Sequence, residues 1–361
     1  MTTALPYAYG GPVITGLMRA QPADFRVEEI LGFEPSGEGE HAFLLVEKTG
    51  ANTEWVARQL AAAAGVLPMA VGYAGLKDRH AITRQTFTVQ LPGRVDPDWT
   101  ATVIPGASVL ASTRHNRKLK RGAHRGNRFR ILLRDVRGDR DVAESRLATI
   151  RAGGVPNYFG EQRFGRDGQN VSLAQALFAG RRMPRPQRSI ALSAARSEMF
   201  NAVLAARVAN ANWDRALEGE VWMLDGTHAI FGPEVWNDDL ARRLAALDIH
   251  PTGPLWGRGD LRSADAVRAL ELAAIEAYPT LTSGLERAGL EQERRALRLA
   301  VGDLVGEWEG EYSLVLDFHL GVGAFATTVL RELCDWHVTV AGYDLSTSLG
   351  ARENADSAEQ A

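Results

Sequence analysis

The sequence predicts an α+β protein in which a sheet-based part is interrupted by a mostly helical insertion. Three observations carry this: β texture through the first third, helical texture from about Ser193 onward, and β alternation returning near Tyr312. Lone strands must find partners in a sheet, so the two β-rich ends are expected to share one. A chain of 361 residues exceeds what one core usually serves, and 45% apolar with 24% charged residues is ordinary for a globular protein. The division is placed at 1–154 and 303–345 for the sheet part and 155–302 for the insertion, with the polar segment 346–361 read as a disordered tail.

Phe25 and Val27 alternate with Arg26 and Glu28, Ala42 to Lys48 is a β-prone run, and Phe87, Val89 and Leu91 alternate with Thr86, Thr88 and Gln90. Among these strands sits one clear helix. Asn52 or Thr53 caps it, Val56, Leu60 and Ala63 or Ala64 keep helical spacing, and Gly65 stops it. Phe129, Ile131 and Leu133 mark another strand, followed by a helix at about 142–152. Past Gly153-Gly154, helices are expected around Phe200 to Val208 and over 239–247, 264–278 and 285–301, with a hairpin from Val221 to Phe231 turning at Asp225-Gly226. Leu314, Leu316, Phe318 and Leu320 then form an alternating strand, and a helix is expected over 324–336 with Cys334 as a small apolar residue within it.

Several function classes drop out early. No basic leader with an apolar run opens the chain, and no uncharged apolar stretch is long enough to span a bilayer, so a cytoplasmic protein with no membrane partner is expected. One cysteine excludes an intramolecular disulfide and a multi-cysteine zinc site, and the eight scattered histidines offer no His-Glu-x-x-His. No metal site is read, and there is no P-loop. A strand followed by Gly321-Val-Gly323 and a helix is the order of a nucleotide-cofactor loop, but Ala326 stands where a third glycine belongs.

Charge is informative only locally. The net charge is −3, yet Arg114 to Arg130 holds eight Lys/Arg and no acid, and removing those eight leaves −11 for the rest. Within this run Arg114, Arg117, Lys118, Lys120 and Arg121 suit phosphate contacts, the glycines allow close approach, and Phe129 is placed either to stack on a base or to sit in the core. The sharpest chemical candidate is Asp78, set among Lys77, Arg79 and His80 just before a strand. Cationic neighbours hold a carboxylate ionised, as a nucleophile or base requires, although a self-compensating surface turn has the same composition. An aromatic, glycine-rich stretch from Gly154 to Gly165 joins the two parts, and Arg181, Arg182, Arg185 and Arg188 read as a solvated linker or a second phosphate-facing patch.

Six blocks in fixed order then resemble one family: Pro22-Ala-Asp-Phe25-Arg-Val-Glu-Glu, Gly72 to Phe87, Arg114 to Phe129, Asn157-Tyr-Phe-Gly-Glu-Gln-Arg-Phe-Gly165 with its preceding Gly154-Val-Pro, Leu192-Ser-Ala-Ala-Arg-Ser197, and Phe325-Ala-Thr-Thr-Val-Leu-Arg-Glu-Leu333. The chain resembles the TruD family of tRNA pseudouridine synthases from about residue 10 to 340. The resemblance implies a mixed-sheet pseudouridine-synthase catalytic core built from both ends of the chain, with an inserted, mostly helical TRUD domain. It also implies isomerisation of uridine at position 13 of tRNA, tRNA as partner, and neither a cofactor nor a protein partner. Position by position, Asp78 matches the catalytic aspartate, and Phe25, Asn127 and Phe325 match residues lining the uridine pocket. Phe129 matches the aromatic expected to stack on the target base.

Overall fold

The computed structural model describes residues 5–338, so the tail expected at 346–361 lies outside the described residues. The chain runs β1 (Ile14–Met18), β2 (Phe25–Ile30), β3 (His41–Thr49), α1 (Thr53–Ala63), β4 (Val71–Tyr73), β5 (Ile82–Gln90), β6 (Ala107–His115), β7 (Gly126–Gly138) and α2 (Arg140–Gly153). It continues through β8 (Val155–Pro156), α3 (Gln169–Phe178), α4 (Arg185–Ala209), β9 (Trp222–Leu224), β10 (Ile230–Phe231), α5 (Asp238–Ala245), β11 (Ile249–Leu255), α6 (Asp265–Ile275), α7 (Pro279–Arg287), β12 (Glu293–Ala296) and β13 (Arg298–Leu299). Last come β14 (Gly302–Trp308), β15 (Leu314–Gly321), α8 (Ala326–Leu330) and β16 (Cys334–His337).

The first seven strands and the last three form one ten-stranded sheet in the order β14-β15-β7-β2-β5-β3-β6, with β1 bridging β7 and β16 and β4 lying on β5. It is mixed: β2 pairs β5 in parallel, as β1 does β16, while the remaining pairs are antiparallel. Strand alternation then sorts side chains by face. Val27, Phe129 and Phe318 lie in register on one face, under α2 and α8. Leu44 and Phe87 lie in register under α1, whose Val56 and Leu60 are wholly buried, each contributing about 1.5–3 kcal/mol of burial. Between these two apolar patches the same parity brings up polar residues: Glu29, Lys48, Thr83 and Gln85. The opposite face carries exposed ion pairs such as Arg84–Glu47 at 2.8 Å and Arg128–Asp317 at 2.7 Å, which solvent screens to little net stability.

Where the chain leaves the sheet and returns to it, β8 and β13 pair antiparallel, Val155 opposite Leu299. Residues between them build a four-stranded sheet, β10-β9-β11-β12, beside the long helix α4. One face of α4 buries Ala191, Ala195, Met199 and Val203 against α3, α6 and α7, and another sets Phe200 and Leu204 against Tyr158 and Phe159. Two buried ion pairs lie here, Arg207 with Glu220 at 2.9 Å and Arg294 with Glu271.

Two expected helices are corrected. Over 285–301 helical spacing loses to pairing: α7 stops at Arg287, and β12 adds to β11 with Thr252 opposite Ala296, which lets Arg294 reach Glu271. Over 324–336 the helix shrinks to the five residues of α8, because 334–337 pair in parallel with β1. Cys334 therefore sits in a strand opposite Ile14, where burial pushes its thiol up to about 12. Helix α3 is not announced by local spacing, and Arg185 and Arg188 stand on α4 rather than on a linker.

Candidate active site

The segment between β4 and β5 lies over the polar strip of the sheet and is anchored to it by hydrogen bonds. Lys77 N–H donates to Thr53 Oγ1 at 3.0 Å, Thr53 donates to Gln85 Oε1 at 2.9 Å, and Gln85 Nε2 donates to the Gly75 carbonyl at 3.1 Å. The Lys77 ammonium meets Glu29 Oε1 at 2.8 Å, and the other oxygen of Glu29 accepts from Thr86 N–H at 3.0 Å. Below them Lys48, only 1% exposed, donates from Nζ to the carbonyls of Ala51 at 2.9 Å, Asp78 at 3.0 Å and Lys77 at 3.3 Å. One ammonium thus uses its three donors on the backbone that carries Asp78. Burial pushes Lys48 down to about 8, against the pull of Asp78.

Asp78 itself is presented rather than buried. Its Oδ1 accepts from His80 N–H at 3.0 Å, and its Oδ2 meets Arg19 at 2.6 Å, with a quarter of the side chain still open. The Arg19 guanidinium lies over the Phe25 ring, 4.0 Å from its centroid. Arg19 holds φ at +59°, a backbone state that costs a non-glycine residue on the order of 1 kcal/mol and is kept here by these contacts.

Phe25 meets Phe129 edge to face at 6.2 Å, and Phe129 stacks on Phe318 at 5.5 Å. Phe129, with 7% of its surface open, packs between Phe25 and Phe318 at the floor of the site. Asn127 stands one step along the same face, between Glu29 on β2 and Leu320 on β15, and its buried Oδ1 has no partner among the described residues. Phe325 caps α8, half-buried, after the loop that leaves β15 opposite Gly126. Asp78, Phe25, Phe129 and Asn127 are therefore brought to one stretch of the sheet, and Phe325 follows on the loop beyond it.

The basic run leans on the same segment. Gly122 N–H donates to Ala74 O at 2.7 Å, and a side chain at Gly72 would strike the Leu119 carbonyl, 2.5 Å from an added Cβ. Its cations divide. Arg114 is tied to Asp96 at 3.1 Å, Lys118 to the Met69 carbonyl, and Arg121 to Tyr73 Oη at 2.8 Å with its guanidinium on that ring. Lys120 is exposed with no ion pair among the described residues, and Arg117 touches only the Phe33 ring, at 5.9 Å.

Arg19, Glu29 and Lys48 escape reasoning from the sequence. For Lys48 a signal exists: it continues the buried parity of Ala42, Leu44 and Val46, where a lysine needs a reason. Arg19 has none, since it meets Asp78 only through the fold.

The fold matches that of a crystal structure from Methanosarcina mazei described as a tRNA pseudouridine synthase D (TruD), with a TM-score of 0.69, covering 91% of this chain and 95% of that one at 20% identity. Sequence narrows the family. The family model described as tRNA pseudouridine synthase D (TruD) matches residues 3–181 and 169–333. A tRNA pseudouridine synthase D of Xanthomonas euvesicatoria pv. vesicatoria is 53% identical over 358 residues, covering 94% of this chain and 96% of the relative. One of Methylococcus capsulatus is 53% identical over 334 residues, covering 92% and 94%. The chain belongs to the TruD family of tRNA pseudouridine synthases.

Proposed function

We propose that the protein isomerises uridine at position 13 of tRNA to pseudouridine in the cytoplasm, with Asp78 as its catalytic carboxylate. The observation that carries this reading is the Arg19–Asp78 pair at 2.6 Å, held over Phe25 on a loop that Lys48 and Gln85 anchor. In the reaction the C1′–N1 bond breaks, the uracil turns within the pocket, and a C1′–C5 bond forms while C5 loses a proton and N1 gains one. Asp78 either attacks C1′ or removes a sugar proton, and the Arg19 contact at 2.6 Å holds its carboxylate in place for either route. Phe25, Phe129 and Phe325 wall the base, and Asn127 supplies hydrogen bonds to a uracil edge. Extruding a base costs a few kcal/mol, which these contacts and the basic run offset.

We assign catalysis to residues 1–154 with 303–345, and RNA holding beside the site to the insertion 155–302. No described helix is long and apolar enough to cross a membrane. The first test is pseudouridine mapping at single-nucleotide resolution on unmodified tRNA transcripts; absence of product on every tRNA would reject the reading.

Two further outcomes are expected. Asn127→Ala should lower single-turnover rate or affinity by about 10- to 100-fold, the worth of one or two buried hydrogen bonds, with little change in melting temperature. Single-turnover kinetics checks it, and a variant as fast and as tight as the wild type would remove Asn127 from the pocket. Replacing Arg117 and Lys120 with alanine should weaken tRNA binding and reduce the salt slope by about one for each phosphate no longer neutralised, leaving the rate at saturating enzyme intact. Filter binding across a salt series measures this, and an unchanged slope would take both residues off the RNA.

A further inference from the structure

Arg163 and Arg295 both lie against the ring of Phe159, their guanidinium carbons 5.2 and 4.3 Å from its centroid. Both are half-buried, and among the described residues no carboxylate comes within 4.0 Å of either. Burial lowers the pKa of Arg163, and burial together with the like charge of Arg163 pushes Arg295 down to about 10. Elsewhere in the insertion buried Arg207 and Arg294 are matched by Glu220 and Glu271, and buried Arg298 donates to His250 Nδ1 at 3.0 Å and to the carbonyls of Leu244 and Ile249. Two adjacent, desolvated, unmatched cations are costly alone and are relieved by an anion.

A recess of about 390 Å³ opens beside Arg163. Phe159 and Arg196 wall it, together with Ser189, Ser193 and Ser197, which stand four residues apart along one face of α4. Arg163 Nη1 donates to Ser193 Oγ at 2.8 Å, and its other donors are uncommitted among the described residues. Arg196 is held by the carbonyls of Leu255 and Glu291 at 2.8 and 2.9 Å and pairs with the exposed Glu293 at 3.2 Å, and its buried Nε has no partner among the described residues. On the other side Arg295 donates to the carbonyl of Gly323 at 3.2 Å, two residues before Phe325. The recess therefore neighbours the proposed uridine pocket. Its outer approach is basic: from Gln169 to Ser197 there are five arginines and no Asp or Glu, and Arg181, Arg182, Arg185 and Arg188 are exposed.

We propose that this recess is a seat for a phosphodiester of the RNA chain, with Arg163 as its charged ligand, and that Arg181 to Arg188 lead the backbone to it. The inference rests on the tRNA-modifying function proposed above. Its test compares wild type, Arg163→Gln and Arg163→Lys on one tRNA transcript, reading the dissociation constant across a salt series, the single-turnover rate at saturating enzyme, and the melting temperature without RNA. Arg163→Gln should weaken binding about 10- to 100-fold and lower the salt slope by about one, with the saturated rate kept. Arg163→Lys, a point charge at the same place, should restore the slope and part of the affinity. Melting of Arg163→Gln should hold steady or rise, because an unmatched cation has gone.

Unchanged affinity and slope in Arg163→Gln would overturn the seat. So would a melting loss large enough to account for the weaker binding, which would make Arg163 a scaffold residue. If inorganic phosphate at constant ionic strength raises the wild-type melting temperature while Arg163→Gln leaves tRNA binding unaltered, the recess is a free-anion site and the RNA seat is rejected. Wild type that binds tRNA in an Arg163-dependent way yet forms no pseudouridine would reject the proposed function and leave the seat standing.

Discussion

Asp78→Asn is expected to stop pseudouridine formation, with a single-turnover loss on the order of 10,000-fold or more, as removal of a group that bonds or exchanges protons with the substrate usually causes. The amide keeps an oxygen for His80 N–H but offers Arg19 no charge, so a guanidinium whose side chain is 12% exposed loses its partner. A stability loss of about 1–3 kcal/mol should accompany the change, too small to unfold the protein. Binding of tRNA should survive. Mapping of pseudouridine after incubation with the variant decides the matter: product at wild-type rate would mean that another carboxylate does the chemistry. Wild-type product at a uridine other than position 13 would keep Asp78 and discard only the position.

The second large effect is expected at a residue that touches no substrate. Lys48→Met leaves the carbonyls of Ala51, Lys77 and Asp78 without their shared donor, costing about 3 kcal/mol, and frees the Asp78 backbone to shift. A displacement near 1 Å at a reacting group can cost about 100-fold in rate. Stability and activity should respond oppositely to pH. Lys48 in the folded protein loses its proton at about 8 rather than 10.5, so between those values the unfolded chain holds a proton that the folded chain has released. This group's contribution to stability therefore rises with pH across that window. The neutral amine, however, has two hydrogens for three carbonyls, so the rate should fall above about pH 8 while the melting temperature shows no parallel loss from this group. In Lys48→Met that alkaline limb should vanish, and a limb that persists there belongs to some other residue.

Much of this architecture is readable from local pattern. The alternation of Phe25 and Val27, of Phe87 and Val89, and of Leu314 to Leu320 places strands correctly, because one face of each packs in an apolar core, although Thr86 and Thr88 on the other face of β5 are buried as well. Asp78 stands out because its cationic neighbours are consecutive in the chain. What stays hidden depends on contacts between distant segments. Residues 291–296, Glu-Gln-Glu-Arg-Arg-Ala, are good helix formers, and only the open edge of β11 makes 293–296 a strand. Arg19 has no motif, and its use is created by the approach of two loops. For Phe129 the position is legible and two tasks are open in the sequence, base stacking or core packing; in the fold it packs between Phe25 and Phe318.

Pairing of β1 with β16 also sets an order in time. Ala8 N–H donates to Glu332 across 324 positions, and Ile14 faces Cys334 in the same sheet. During synthesis β1 and β2 are ready for one edge of β7 as it emerges, but the edge that takes β15 waits unpaired while the whole insertion is made, and closure of such distant contacts is slow. The loop bearing Phe325 is translated in the same late stretch. On the proposed function, a nascent chain carries Asp78 and the basic run well before the wall that Phe325 would supply, so chemistry is expected only once the segment bearing Phe325 has left the ribosome.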